Sequence, residues 1–70
     1  MVEYDYSKLR GRIVEVYGTQ DKFAKALGSS ATTISKKLNN LAEWSQGEIE
    51  ESCRLLSISR NKLPEFFFAI

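Results

Sequence analysis

The chain has 70 residues, with ten Lys and Arg against nine Asp and Glu, one Cys and no His. At this length, with 43% hydrophobic and 27% charged residues, we expect one folded domain over residues 1–70. A single Cys excludes an internal disulfide, and the absence of His excludes the usual zinc sites, so no cofactor is expected. The longest apolar run, residues 66–70, is too short to cross a membrane.

The first helix is predicted over residues 7–17, where apolar residues recur at helical spacing. Ser7 can serve as its N-cap, and Gly18 stands in the position expected just after a helix end. Gly11 lies in the middle of this helix. We expect it to permit the close approach of another helix.

Two more short helices follow, joined by a tight turn. The second is predicted over residues 20–27, with Thr19 as its N-cap and a glycine after its end. The third runs through Leu38 from a cap at Ser29 or Ser30. A helix, a glycine turn and another helix therefore follow one another directly.

The fourth helix is predicted to begin at residues 45–48, whose Ser-Gln-Gly-Glu sequence matches a capping box. Ser59 then caps a short last turn over residues 60–63, before Pro64 and an aromatic tail. No segment shows sustained period-two alternation with turn pairs, so no sheet is expected. The predicted fold is all-α, with five short helices.

The net charge of +1 is unevenly divided along the chain. Residues 8–40 carry a net charge of +5, whereas residues 1–7 and residues 41–70 each carry −2. A basic first half with an acidic second half suggests that one face meets an anion, of which nucleic acid is the commonest. An unevenly charged, solvated surface would give the same counts.

The segment 19–39 carries the functional signal. Its two short helices are expected to meet around Gly28 and to bury Ala24 where they cross. The outer face of the second of these helices has only small or polar side chains, which suits insertion into the DNA major groove. The residues on this face are Ala31, Thr32, Ser35 and Lys36.

This segment resembles the helix-turn-helix domains of phage repressor and Cro-type regulators, the XRE type, which have a lambda-repressor-like fold. The matching positions are Thr19-Gln20, Phe23-Ala24, Leu27-Gly28, Ser30, Ile34-Ser35 and Asn39. The likeness extends through the fourth helix to nearly the whole chain. The two ends, residues 4–11 and 63–67, look similar to a narrower group of short phage Cro-like proteins.

The resemblance implies a sequence-specific DNA-binding transcriptional regulator whose recognition helix, residues 30–38, enters the major groove of an operator. The four outer residues of that helix fall where the family reads bases. Phosphate contacts are expected from Gln20, Ser30, Lys37 and Asn39. Asn39 could instead serve only to end its helix. Because none of the base-reading positions holds Gln or Arg, direct readout should be modest, with Lys36 as the main donor to guanine.

The aromatic tail contains too many large apolar side chains for a small domain to expose singly. These residues are Phe66, Phe67, Phe68 and Ile70. They can pack across the first and fourth helices of their own chain, or they can form a homodimer. A homodimer would place two recognition helices about 34 Å apart on a palindromic operator, as the family's mode of action implies.

No catalytic constellation is visible, because Cys53 is expected to be a buried, unreactive thiol and no His can serve as its base. We therefore expect no enzymatic activity and, without a secretion signal, a cytoplasmic location. The leading hypothesis is a Cro-like repressor.

Two alternatives stay open. The first is an anti-repressor or modulator that binds the DNA-binding domain of another repressor, such as a phage repressor, instead of DNA. The near-neutral net charge, the sparse hydrogen-bonding capacity at Ala31 and the acidic fourth helix favour it. The second is the antitoxin of a small two-gene system, which would share the fold.

Overall fold

The structure is a computed structural model that describes residues 3–70. Its helices, in chain order, are α1 (Ser7–Tyr17), α2 (Gln20–Leu27), α3 (Ala31–Leu38), α4 (Gln46–Leu56), a 3₁₀ turn (Arg60–Lys62) and α5 (Leu63–Phe67). No strand occurs within the described residues, and the all-α prediction of five short helices is confirmed. None of these helices is long and apolar enough to cross a membrane.

Side-chain caps begin α2, α3 and α4 where the sequence predicts them. The hydroxyls of Thr19, Ser30 and Ser45 each accept a hydrogen bond from the backbone N–H three residues further on. Ser30, and not Ser29, is therefore the cap of α3. Glu48 completes the capping box of α4, because its carboxylate accepts a hydrogen bond from the N–H of Ser45 at 2.8 Å.

Two helix ends differ from the prediction. Tyr6 is the N-cap residue of α1, and the carboxylate of Asp5 accepts a hydrogen bond from the N–H of Ser7 at 2.9 Å. This bond lowers the pKa of Asp5 below its ordinary value. Near the C-terminus, the last helical turn is predicted to end at residue 63, before Pro64. Instead α5 begins at Leu63 and includes Pro64, because the first turn of a helix tolerates a residue without an N–H.

The core is built from residues of all five helices, each less than a tenth exposed. Its helical members are Leu9, Ile13, Phe23, Ala24, Ile34, Leu38, Cys53, Leu56 and Phe67. Ala24 is fully buried, as expected for its position next to the glycine turn. The first helix, α1, packs against α2, α4 and α5, and so it joins the helices from the beginning of the chain to those from its end.

The expectation for Gly11 is wrong. Gly11 is exposed, and a Cβ atom at this position would meet no side chain or neighbouring backbone within 4 Å. No second helix therefore approaches α1 at this point. The surroundings of Gly11 therefore leave room for a larger side chain at this position in the helix.

Gly11→Ala should raise the free energy of unfolding by about 0.5–1 kcal/mol, because alanine loses less backbone entropy on entering a helix. Urea denaturation measures this change as a higher midpoint with an unchanged m-value. Gly18→Ala is the matched control and should destabilise the protein, since Gly18 has a φ of 85° that suits glycine. A Gly11→Ala protein no more stable than the original would show that another interaction opposes the gain.

Candidate functional site

The predicted recognition helix, α3, lies on the surface with one face accessible. It follows α2 after a three-residue turn in which Gly28 adopts a left-handed conformation with φ of 80°. Thr32 and Lys36 are exposed, and Ala31 and Ser35 are half-buried on the same side of the helix. The four residues predicted to read bases thus share one outer face.

Three of the four residues predicted to hold phosphates lie at the ends of α2 and α3. Gln20 is half-buried at the start of α2, while Ser30 and Asn39 are exposed at the two ends of α3. The Ser30 hydroxyl already caps α3. The Asn39 amide donates to the carbonyl of Ser35 at 2.9 Å and accepts from Arg10 at 2.8 Å. Asn39 therefore ends α3 and ties it to α1.

Lys37 does not fit its prediction as a phosphate contact. Its side chain is only 9% exposed, its ammonium is ion-paired with the carboxylate of Glu48 on α4, and it lies 5.6 Å from the ring centroid of Trp44. Helical rotation places Lys37 beside the core residues Ile34 and Leu38 rather than on the outer face. To reach a phosphate, Lys37 would have to break this ion pair.

The ion pair also sets the titration of Glu48. Burial alone would raise the pKa of this carboxyl group, but hydrogen bonds from Lys37 and from Ser45 outweigh burial. The pKa of Glu48 is therefore lowered below its ordinary value. Elsewhere on α4, burial raises the pKa of the Cys53 thiol, which disfavours the reactive thiolate.

The positive charge of residues 8–40 is not gathered on α3, and one of its cations, Lys37, is paired with an acid from outside this segment. Four of the seven cations in this segment are already bound within the chain: Arg10 to the Leu38 carbonyl and Asn39, Arg12 to Glu15, Lys25 to Asp21, and Lys37 to Glu48. Lys8, Lys22 and Lys36 have no such partner among residues 3–70, and they lie on three different helices. Of these three lysines, only Lys36 belongs to α3.

A cavity of about 290 Å³, which we call the aromatic groove, opens next to the loop that follows α3. Its apolar lining consists chiefly of Tyr4, Tyr6, Leu41, Trp44, Phe67 and Phe68. The Trp44 and Phe67 rings meet edge to face at 5.4 Å, and Tyr4 and Phe68 do so at 5.9 Å. These contacts make the walls of the groove a continuous set of packed rings.

Hydrogen bonds between distant parts of the chain hold the groove together. The amide of Asn40 accepts from the N–H of Tyr4 and donates to its carbonyl, both at 2.9 Å, as a neighbouring strand would. The N–H of Asp5 donates to the carbonyl of Ala69 at 2.7 Å. Residues 4–5 and residue 69 therefore meet beside the α3–α4 loop. Sequence analysis missed this groove, although aromatic residues at both ends of the chain were a signal for it.

Within the groove, the indole N–H of Trp44 is buried and makes no hydrogen bond of ordinary geometry with the described residues. Its ring meets that of Tyr6 edge to face at 6.4 Å. Burial and the neighbouring Tyr4 raise the pKa of Tyr6, and the Trp44 side chain opposes this rise.

The tail divides between the core and the surface. Phe67 is 1% exposed and packs in the core, whereas Phe68 is 49% exposed and Ile70 is 89% exposed. Phe66 is half-buried, and α5 packs against α1 as predicted, but α4, the other predicted partner, is not among the helices that pack closely on it. A homodimer through the tail stays a prediction.

Comparison with known proteins identifies a matching family and a similar solved structure. The profile of a family described as "protein of unknown function (DUF739)" matches residues 2–70. The solution structure of the modulator of repression (MOR) of the temperate bacteriophage TP901-1 from Lactococcus lactis matches with a TM-score of 0.82 and 43% identity. This match covers 93% of the present chain and 88% of that chain. No curated protein matches the chain.

Proposed function

We propose that this chain, which belongs to the DUF739 family, modulates a phage repressor by binding the repressor's DNA-binding domain. The observation that carries the proposal is the 43% identity, over 93% of the chain, to a phage modulator of repression. Because a shared fold does not by itself imply a shared function, the surface must also suit this role.

The surface of α3 supports a protein partner better than DNA. Tight DNA binding uses several phosphate contacts, and base readout relies on Arg, Lys, Asn or Gln in the major groove. The outer face of α3 offers Lys36 as its one cation, and Lys37 is held by Glu48. These features favour the modulator over a Cro-like repressor.

Binding of the DNA-binding domain is sufficient for modulation. If the chain covers the repressor surface that holds operator phosphates, the repressor cannot bind the chain and the operator together. A free chain concentration ten times its Kd would then raise the repressor's apparent Kd for its operator about elevenfold, by mass action. The proposed role therefore needs binding alone and no catalytic step.

Isothermal titration calorimetry tests this role with the purified chain and the DNA-binding domain of the repressor from the same phage genome. We expect saturable binding, and we expect an operator duplex titrated into the chain alone to give no heat of specific binding. An operator duplex that binds the chain while the repressor domain does not would contradict the proposal.

Direct DNA binding is the second candidate, and the outer face of α3 next to a tight glycine turn favours it. In this case a dimer of the chain would act as a Cro-like repressor at a palindromic operator. Selection of bound sequences from random duplexes tests this directly. Recovery of a palindrome would support readout by two copies.

For this candidate, Lys36→Ala should weaken operator binding about tenfold and relax the preference for guanine at the contacted position, because Lys36 would donate a hydrogen bond to that base. Lys22→Ala is the matched control and should have much less effect, since Lys22 lies on the exposed side of α2. Gel shifts with duplexes that differ at the contacted position measure both changes. Equal binding by both variants would remove this candidate.

A further inference from the structure

Two of the five exposed large apolar side chains among residues 3–70 line the aromatic groove. Leu41 is 76% exposed and Phe68 is 49% exposed, and both line the groove. Apolar residues scattered singly on a surface are normal, but neighbouring ones around one cavity mark an interaction site. At about 290 Å³, the groove is at the small end of ligand pockets, which suits one or two protein side chains.

The groove is already shaped before any partner arrives. Edge-to-face ring contacts fix its walls, and the paired hydrogen bonds between Tyr4 and Asn40 fix its rim. A partner would therefore bind without the entropic cost of ordering these side chains.

The charge at the groove is negative. Among its lining residues within 3–70, Glu43 is the one charged side chain; it forms the acidic rim and is in no ion pair. The ammonium nearest to Trp44, that of Lys37, is neutralised by Glu48. The groove thus combines an apolar floor with an acidic rim.

We infer that the aromatic groove is the docking site for the repressor, and that it takes an apolar side chain flanked by Lys or Arg. The inference rests on the proposed function and names the surface that performs it. A repressor must carry Lys and Arg on its DNA-binding face to hold phosphates. An acidic rim complements that face and would hold it away from DNA.

Leu41→Asp tests the apolar contact. Because Leu41 is mostly exposed, the variant should fold normally, and its affinity for the repressor domain should fall tenfold or more, about the effect of losing a buried apolar anchor. Val14→Asp is the matched control, since Val14 is 55% exposed on α1 and does not line the groove. Its affinity should stay within about twofold of the original. Calorimetry measures both affinities, and circular dichroism checks both folds.

Glu43→Lys tests the acidic rim. We expect it to weaken repressor binding about fivefold at low salt, with Glu43→Gln between it and the original chain, and we expect added salt to reduce the difference. Equal affinities of the three proteins at low salt would show that the rim charge plays no part, and would overturn the basic character assigned to the partner.

Trp44 gives a signal from the groove itself, because it is the chain's one tryptophan. With 5-fluorotryptophan at this position, addition of the repressor domain should shift the fluorine resonance in proportion to binding. An unmoved resonance in a saturated complex would contradict the inference and place the interface elsewhere.

The outcomes separate this inference from the proposed function. If the original chain and Leu41→Asp bind the repressor domain equally well, the groove is not the docking site, although the proposed function stands. If the original chain does not bind the domain at all, the proposed function fails, and the inference fails with it. If Leu41→Asp only converts a dimer of the chain to a monomer, the groove holds a second copy and the inference is overturned.

Discussion

Phe67→Ala should lower the melting temperature of the protein by about 12 °C or more. Truncation of a fully buried Phe costs about 3–5 kcal/mol, because apolar contacts are lost and a cavity remains. Phe67 is 1% exposed and packs edge to face on Trp44. A domain of 70 residues has a total stability of only about 4–10 kcal/mol. The substitution therefore removes a large part of the total.

Thermal unfolding followed by far-ultraviolet circular dichroism measures this effect. The neighbouring Phe68→Ala is the matched control, since Phe68 is 49% exposed and its truncation should cost much less. If Phe67→Ala melted within a few degrees of the original chain, α5 would not be part of the core.

Glu48→Gln should lower the free energy of unfolding by about 1–3 kcal/mol. The substitution leaves the ammonium of Lys37, whose side chain is 9% exposed, without its carboxylate, and it weakens the capping box with Ser45. The figure is below that for a fully buried pair, because the Glu48 side chain is 28% exposed. Glu51→Gln is the matched control, as it breaks only an exposed pair with Arg54 and should have a much smaller effect.

The same ion pair predicts a dependence of stability on pH. The pKa of Glu48 is lowered in the folded protein, so the folded state binds fewer protons than the unfolded state in the acid range. The stabilisation is fully present above the ordinary pKa of 4.5 and is lost as the pH falls through the lower, folded value. Urea denaturation should therefore show a steeper loss of stability on acidification for the original chain than for Glu48→Gln. Parallel pH profiles would contradict this.

Local features of the fold could be predicted from the sequence. The caps at Thr19, Ser30 and Ser45 depend on residues within three positions along the chain, and the structure has all three. The cap of α1 was assigned to Ser7 because serine is a common N-cap residue, whereas Tyr6 holds that position and the Asp5 carboxylate accepts the bond from the Ser7 N–H. Gly11 was misread because a glycine in a helix gives no information about what lies opposite it.

Features that depend on distant contacts could not be predicted in this way. Lys37 is buried because Glu48, eleven positions away, and Trp44 surround it, and a lysine next to Lys36 is ordinarily solvated. The aromatic groove depends on Tyr4 and Asn40, which are 36 positions apart. The roles assigned to the exposed residues of α3 stay predictions.

Release of a repressor from its operator tests the central claim most directly. A fluorescent operator duplex saturated with the phage repressor has a high anisotropy, and the chain is then titrated into this complex. We predict that the anisotropy falls to the value of the free duplex, and that Leu41→Asp requires at least a tenfold higher concentration for the same release. An anisotropy that stays constant, or that rises because the chain itself binds the duplex, would contradict the account.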